Sequence, residues 1–205
     1  MPRAYRKTTR AATHEATRRR ILDAAARSID DGTFGVREIA KHASVTVQTI
    51  YAHFGSKAGL ITAVVQDISM SHGLVAGLQR VWRQPDAREQ LDTMVAVTFT
   101  FWHDAWPFIR YTLTAERQDV DFAAQKQALD ASRLHDYERI CEGLARSGAL
   151  KTGLRPKTAA ALMFTLCGPA VYEDLVGRGR VPFRAALSAV GDVVRGAILG
   201  ASASG

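Results

Sequence analysis

Residues 36–57 contain two short helical patterns separated by a tight break. This segment constrains the fold more than any other part of the chain. The second pattern places Ile50 and Phe54 one helical turn apart, so both are predicted to face inward. Its remaining positions offer mostly uncharged hydrogen-bonding or methyl groups, which suit the major groove of DNA. These positions are Val47, Gln48, Thr49, Tyr51 and His53. The pair therefore predicts a helix-turn-helix motif whose second helix, residues 46–53, reads DNA.

The positive charge of the chain is concentrated near its N-terminus. The formal net charge is +7, of which residues 1–62 contribute +6 and residues 63–205 only +1. Such asymmetry predicts a polyanionic partner at one end of the molecule. The basic N-terminal arm, residues 2–14, has no apolar stripe that would hold it on a membrane. No apolar run is expected to span a bilayer. We therefore expect double-stranded DNA as the partner and no membrane.

Helical spacing continues along the rest of the chain. A flexible basic arm precedes a first helix at about 15–31, and Gly35 precedes the second helix. Thr46 is expected to cap the third helix and Ser56 a fourth. Beyond Pro85, helices are predicted at about 87–104, 107–118, 121–147, 157–176 and 183–199. Because strand-like alternation is absent, the sequence predicts an all-α protein. It would consist of a DNA-binding domain at 1–62 and a helical domain at 63–205, with the boundary inside the fourth helix.

The N-terminal third resembles the TetR family of transcriptional repressors, over residues from about Arg20 to Val64. The resemblance rests on ordered, correctly spaced segments: Ile21-Leu22-Asp23-Ala24-Ala25, Arg37-Glu38-Ile39-Ala40, Val45-Thr46, Ile50-Tyr51-Ala52-His53-Phe54, and Lys57 followed by Leu60. It implies a homodimer in which each subunit has a three-helix DNA-binding head and a helical body for ligand binding and dimerisation. The rest of the chain is similar to the family only in length and helical character.

The resemblance also implies DNA contacts at eight positions. By role, they are Thr46 and Tyr51 for phosphates, Val47, Gln48 and Thr49 for base edges, His53 and Lys57 for the backbone, and Arg37 for a base or a phosphate. Side-chain chemistry agrees, since Gln48 can bind an adenine with two hydrogen bonds and a methyl group of Val47 or Thr49 can meet a thymine methyl. The free amides at the helix start beside Lys57 also attract a phosphate.

The chain departs from the family pattern at two positions. Ser44 stands in the turn where the family usually has glycine, so Ser44 is expected to adopt the turn with some strain. The second helix begins at Gly35-Val36, where the family usually has a serine or threonine whose hydroxyl also binds phosphate. One phosphate contact of the family is therefore not expected here.

Aromatic residues of the C-terminal part suggest an effector site. Phe99, Trp102 and Trp106 lie three and four positions apart, with His103 one position off, as in an apolar pocket with a polar fixing group. We name Trp102, His103, Trp106 and Tyr111 as candidate contacts of a small apolar effector. Core packing is the alternative for each. The resemblance makes the helices at 157–176 and 183–199 the dimer interface, with an intrachain core as the alternative, and Gly168-Pro169 is expected to kink the first.

Neither catalysis nor metal binding is predicted. No acid/base pair, phosphate loop or metal cluster has the required spacing, and Cys141 and Cys167 are isolated thiols. We therefore expect no enzyme activity, no cofactor and a cytoplasmic protein with reduced cysteines. The main hypothesis is a ligand-responsive transcriptional regulator, a repressor by resemblance, on a pseudopalindromic operator. The alternative is a protein that coats DNA without sequence preference and without an effector.

Overall fold

The computed structural model describes the backbone of residues 3–200 and the side chains from residue 12 onward. Within residues 3–200 it contains helices, no strand, and an isolated antiparallel bridge between Leu150 and Leu199. The prediction of an all-α fold is confirmed. The helices are α1 (Arg3–Asp30), α2 (Val36–His42), α3 (Val47–Phe54), α4 (Lys57–Ser71), α5 (Leu74–Arg83), α6 (Ala87–Asp104), α7 (Trp106–Ala115), α8 (Val120–Arg146), α9 (Pro156–Leu166), α10 (Pro169–Tyr172), followed by a π-helix (Glu173–Arg178), and α11 (Phe183–Ile198).

The chain forms two compact units that are not continuous in sequence. The N-terminal unit comprises Met1–Ile68 and Pro107–Lys126, and the C-terminal unit comprises Ser69–Trp106 and Gln127–Gly205. Residues 107–126, which the sequence analysis placed in the C-terminal domain, thus pack with the N-terminal helices. The predicted boundary between a DNA-binding domain at 1–62 and a helical domain at 63–205 concerns DNA binding, and it stays a prediction.

The N-terminal unit is built on an apolar core shared by its first four helices. Ile21, Ile39 and Ile50 are fully buried, one on each of α1, α2 and α3, and Leu60 brings α4 into the same set. The segment 107–126 joins this unit through Phe122, whose ring packs edge-on against Phe34 at 5.1 Å and against Tyr111 at 5.3 Å between centroids. The helix-turn-helix therefore packs on an apolar core that residues 107–126 extend.

The C-terminal unit has its own core, formed mainly by α6, α8, α9 and α11. Its fully buried members are Leu91, Phe99, Tyr137, Ile140, Leu144, Met163 and Val194, among others. Helix α5 lies close to α6 because Gly77 has no side chain: a Cβ there would be 2.6 Å from Cγ1 of Val97. Both cysteines are buried, free thiols. Burial raises the pKa of each thiol to about 12, so both are protonated and unreactive at neutral pH.

Several helix bounds differ from the sequence predictions. Helix α1 begins at Arg3, so the expected flexible arm is wrong where the backbone is described; Pro2 and the side chains of residues 3–11 lie outside the described part. Helix α5 was missed, although Leu74, Leu78, Val81 and Trp82 follow helical spacing. Its N-cap is Gly73, which has no side chain to accept a capping hydrogen bond. The sequence therefore gives only a weak signal for the start of this helix. At Gly168-Pro169, where a kink was expected within one helix, the helix is interrupted: α9 ends at Leu166 and α10 begins at Pro169.

One segment corrects the expectation about apolar runs. Pro156–Arg178 contains a stretch of 18 residues that is apolar enough to cross a bilayer by length and composition, and 33% of that stretch is buried in the protein. The core helix of a protein that does not enter a membrane can have the same length and apolar composition. The prediction that no apolar run is long enough to span a bilayer is therefore wrong by length and composition.

Candidate nucleic-acid interface

The orientation of α3 decides which of its side chains a ligand can reach. Ile50 is fully buried, whereas Gln48, Tyr51 and Ala52 are exposed, Tyr51 by 41%. Val47 and Thr49 are half-buried at the edge of this face. Helix α3 therefore presents an uncharged amide and a phenol to the outside, with methyl groups beside them.

Thr46 forms the cap of this helix. Its Oγ1 accepts a hydrogen bond from the backbone N–H of Thr49 at 3.1 Å and lies 2.9 Å from Thr49 Oγ1. The capping bond satisfies one of the free amides of the first helical turn. The expected cap is confirmed, and the Thr46 hydroxyl proton remains able to donate to Thr49 or to a phosphate.

The turn between α2 and α3 is a Schellman motif centred on Ser44. The N–H of Val45 donates to the carbonyl of Ala40 at 2.9 Å, and the N–H of Ser44 donates to that of Lys41 at 3.1 Å. Ser44 has a φ of 53°, in the left-handed region that favours glycine. The strain expected from its sequence position is therefore present.

Replacing Ser44 tests this strain. Ser44→Gly relieves the left-handed penalty but adds chain entropy to the unfolded state, so we expect a net gain of about 0.5–1 kcal/mol in the free energy of unfolding. Ser44→Val should lose stability, because a β-branched side chain fits this conformation poorly. Urea denaturation of the three proteins is the measurement. Equal stability of Ser44→Gly and Ser44→Val would contradict the assignment of strain.

His53 lies against the N-terminal helix. Its ring stacks on His14 with 4.0 Å between centroids, and its Nδ1 is buried without a hydrogen-bond partner among the described residues. Burial, together with the neighbouring charges of His14 and Arg18, lowers the pKa of His53 below its ordinary value. Both effects disfavour the positively charged form of His53.

Lys57 is engaged by an acidic side chain far away in the sequence. Its Nζ donates to a carboxylate oxygen of Asp119, and both side chains are largely shielded from solvent. One turn further along α4, the Thr62 hydroxyl donates to Gln125 Oε1 at 2.9 Å. Burial opposes ionisation of Asp119, but the hydrogen bonds from Lys57 and from the backbone N–H groups of Asp121 and Phe122 outweigh it and lower the pKa of that carboxyl. The expected backbone-contacting lysine is thus already part of an ion pair.

Further cations lie on α1 and α2, the two helices that precede α3. Arg37 and Lys41 are exposed on α2. On α1, Arg18 lies over the Phe54 ring at 5.5 Å, and Arg19 is held by Asp23 and Asp67, each at 2.6 Å. Lys41 was not predicted as a contact, although its position next to the turn was a usable signal. Arg19 is thus held within the N-terminal unit by two carboxylates.

The predicted effector contacts do not gather at one place. Trp102 donates its Nε1–H to the carbonyl of Cys167 at 2.9 Å, and His103 is hydrogen-bonded through Nδ1 to the Tyr172 hydroxyl at 2.8 Å. Trp106 also packs on Tyr172, at 4.8 Å between centroids. Tyr111, in contrast, belongs to the N-terminal unit.

A cavity of about 430 Å³ lies between α5 and α6, and the sequence analysis missed it. Its polar lining comes from His72, Arg80, Asp92, Thr93 and Thr100. None of the four predicted contacts is among its lining residues. Asp92 also binds Arg195 at 2.9 Å, so part of its charge is already compensated.

The buried three-helix core, the tight turn and the exposed uncharged face of α3 together define a helix-turn-helix DNA-binding protein. Residues 21–64 match the family described as bacterial regulatory proteins, tetR family. This segment is therefore a DNA-binding domain of the type found in TetR-family transcriptional regulators. The relatives are transcriptional regulators, which agrees with the expectation that the chain is not an enzyme.

Similarity extends beyond the matched segment. The HTH-type transcriptional regulator BetI of Burkholderia ambifaria is 27% identical over 186 residues, which cover 88% of this chain and 93% of the relative. The fold of the SmeT–triclosan complex is similar, with a TM-score of 0.74, 21% identity and coverage of 91% of this chain and 93% of that one. A putative regulator of Saccharomonospora viridis in complex with choline has a TM-score of 0.71, 17% identity and coverage of 91% and 99%.

Proposed function

We propose that this regulator is a homodimeric, effector-responsive repressor that binds a pseudopalindromic operator through α3. The supporting observation is the outward face of α3, where a buried Ile50 turns Gln48 and Tyr51 to the outside. In a dimer, two such helices enter successive major grooves about 34 Å apart. The protein acts in the cytoplasm, where it meets the DNA.

Within this proposal, the exposed residues divide between base and phosphate contacts. Gln48 reads a base, with Val47 and Thr49 adding methyl contacts at the edge of the face. Tyr51, Thr46 and Arg37 position the helix on the backbone, and His53 and Lys57 add backbone contacts at its end. Lys57 must first leave Asp119.

Two substitutions on α3 separate these roles. Gln48→Ala should relax sequence preference at one position in each half-site, by about 1–3 kcal/mol of discrimination. Tyr51→Phe should weaken binding to all sequences by about 1 kcal/mol, because it removes a phosphate hydrogen bond without changing charge. Selection of bound sequences from a random duplex library, repeated with each variant, measures both effects.

The same selection decides between the proposal and the DNA-coating alternative. An enriched inverted repeat from the unmodified protein supports a dimeric, sequence-specific regulator. Binding without enrichment, with an affinity that falls steeply as salt rises, would support DNA coating instead. An unchanged sequence preference in Gln48→Ala would remove that residue from the base-reading set.

The dimer interface is proposed on α9 and α11. Each carries a large exposed apolar residue, Leu162 at 37% and Val193 at 54%, among exposed alanines. Small side chains allow two helices to approach closely, and the apolar stretch of 18 residues within Pro156–Arg178 is only one third buried. A second copy of these helices would cover both surfaces in an isologous arrangement.

Charge placed on this surface should disrupt the dimer. Leu162→Arg and Val193→Arg each bring an unpaired cation into the proposed interface, so we expect the dimer dissociation constant to rise by about tenfold or more. Val75→Arg, at a similarly exposed valine of α5 (43%), is the matched control. Light scattering over a dilution series measures the mass. A wild type that is monomeric, or an equal effect of all three substitutions, would contradict this interface.

The Lys57–Asp119 ion pair provides one way to control DNA binding. As long as Asp119 holds the ammonium, a phosphate must compete for it, and α4 is also tied to α8 by Thr62 and Gln125. An effector that shifts α4 relative to residues 107–126 would change the outcome of this competition. Such control requires that the effector binds one of the two states more tightly.

Removing the competing carboxylate should strengthen DNA binding. In Asp119→Asn we expect an affinity about two- to fivefold higher, the range for a partly exposed ion pair. Glu116→Gln is the matched control, because it removes the same charge from a carboxylate paired with Lys126 at 3.2 Å. Fluorescence anisotropy with the selected duplex is the measurement. An equal gain in both variants, or a gain that persists in a Lys57→Ala background, would show that competition for Lys57 is not the cause.

A further inference from the structure

Arg133, on α8, is a buried cation that the proposed function has not used. Its side chain is only 15% exposed, and its Nη2 contacts Asp130 Oδ1, one turn earlier, at 3.2 Å. The other two nitrogens, Nε and Nη1, are shielded from solvent and have no hydrogen-bond partner among the described residues. They carry three of the five N–H donors of the guanidinium. Buried donors of this kind are normally satisfied.

Two aromatic rings enclose this guanidinium. Its central carbon lies 4.0 Å from the centroid of the Phe164 ring and 5.4 Å from that of the Trp102 ring. Trp102 is itself fixed by its hydrogen bond to the carbonyl of Cys167. The aromatic faces are therefore occupied by a cation of the chain, which leaves them unsuited to a cationic ligand.

We infer that Arg133 is the anchor of the effector site and that the effector is a monocarboxylate with an apolar body. This inference rests on the proposed effector response and names its ligand class. The carboxylate would accept hydrogen bonds from Nε and Nη1, and the apolar part would pack against Trp102 and Phe164. Asp130 already compensates part of the positive charge, which favours a singly charged anion over a doubly charged phosphate.

Ligand binding at Arg133 is coupled to a change in packing. Both unsatisfied nitrogens are covered, so an anion reaches them only when a neighbouring side chain moves. The site is then more open in one conformation of the C-terminal unit than in the other, which is the property an effector site needs. Trp102, one of the four residues named from the sequence, is part of this site, whereas Arg133 was not predicted.

The test compares three ligands with one alkyl chain and different head groups: octanoate, octanol and octyltrimethylammonium. With the purified full chain and no DNA, we expect octanoate alone to raise the melting temperature by several degrees and to change tryptophan fluorescence, at concentrations up to about 1 mM. An equal response to octanol would show that only the apolar body binds. A response to the cation, or none to octanoate, would overturn the inference without requiring any variant.

Substitution then locates the site. Arg133→Met should weaken octanoate binding about tenfold or more, and Arg133→Lys should retain part of it because the charge remains. Arg139→Met is the matched control: Arg139 is on the same helix and stacks on the Trp82 ring at 3.9 Å, but its side chain is 51% exposed and binds Asp136. Octanoate binding that survives in a folded Arg133→Met would make Arg133 purely structural.

The same preparations are assayed for binding to the selected duplex. Sequence-specific binding without any octanoate response would overturn the inference about the effector and leave the DNA-binding proposal standing. Octanoate binding that depends on Arg133, in a protein without sequence preference, would support the carboxylate site and remove the operator from the proposed function.

Discussion

The burial of Ile50 is the constraint on which the DNA-binding surface depends. A helix of eight residues can rotate about its axis, and this rotation decides which side chains it presents. Ile50 has no exposed surface, so its burial in the core of the N-terminal unit fixes the rotation of α3. Gln48 and Tyr51 consequently point outward, and their chemistry becomes available to DNA. The capping bond of Thr46 and the Schellman turn at Ser44 fix the start of the same helix.

Much of this arrangement could be predicted because it is set by local rules. Helical spacing identified the inward position of Ile50, and the hydroxyl of Thr46 marked the helix start. Ser44 was expected to be strained, and its φ of 53° shows the strain. Helix α5 was not predicted from the sequence because it starts at a glycine, which has no side chain to form a capping hydrogen bond. The π-helix at Glu173–Arg178 also has no simple sequence signal.

The remaining features depend on pairs of residues that are distant in sequence. Lys57 and Asp119 are 62 positions apart, and Trp102 is 65 positions from the carbonyl that it binds. No spacing rule predicts such partners, since they follow from how the helices pack. For the same reason Tyr111 was grouped with Trp102 and Trp106 by sequence proximity, although it packs in the other compact unit. Residue type predicts what a side chain can bind; packing decides whether it is already bound.

Buried charge connects the two proposals, because it is costly unless a partner compensates it. Lys57 has such a partner in Asp119, so in the proposed function DNA displaces a carboxylate of the chain. Arg133 is only partly compensated by Asp130, so in the proposed effector site a carboxylate from solution supplies the missing hydrogen-bond acceptors. In both proposals the response therefore depends on which carboxylate compensates the cation, one of the chain or one from solution.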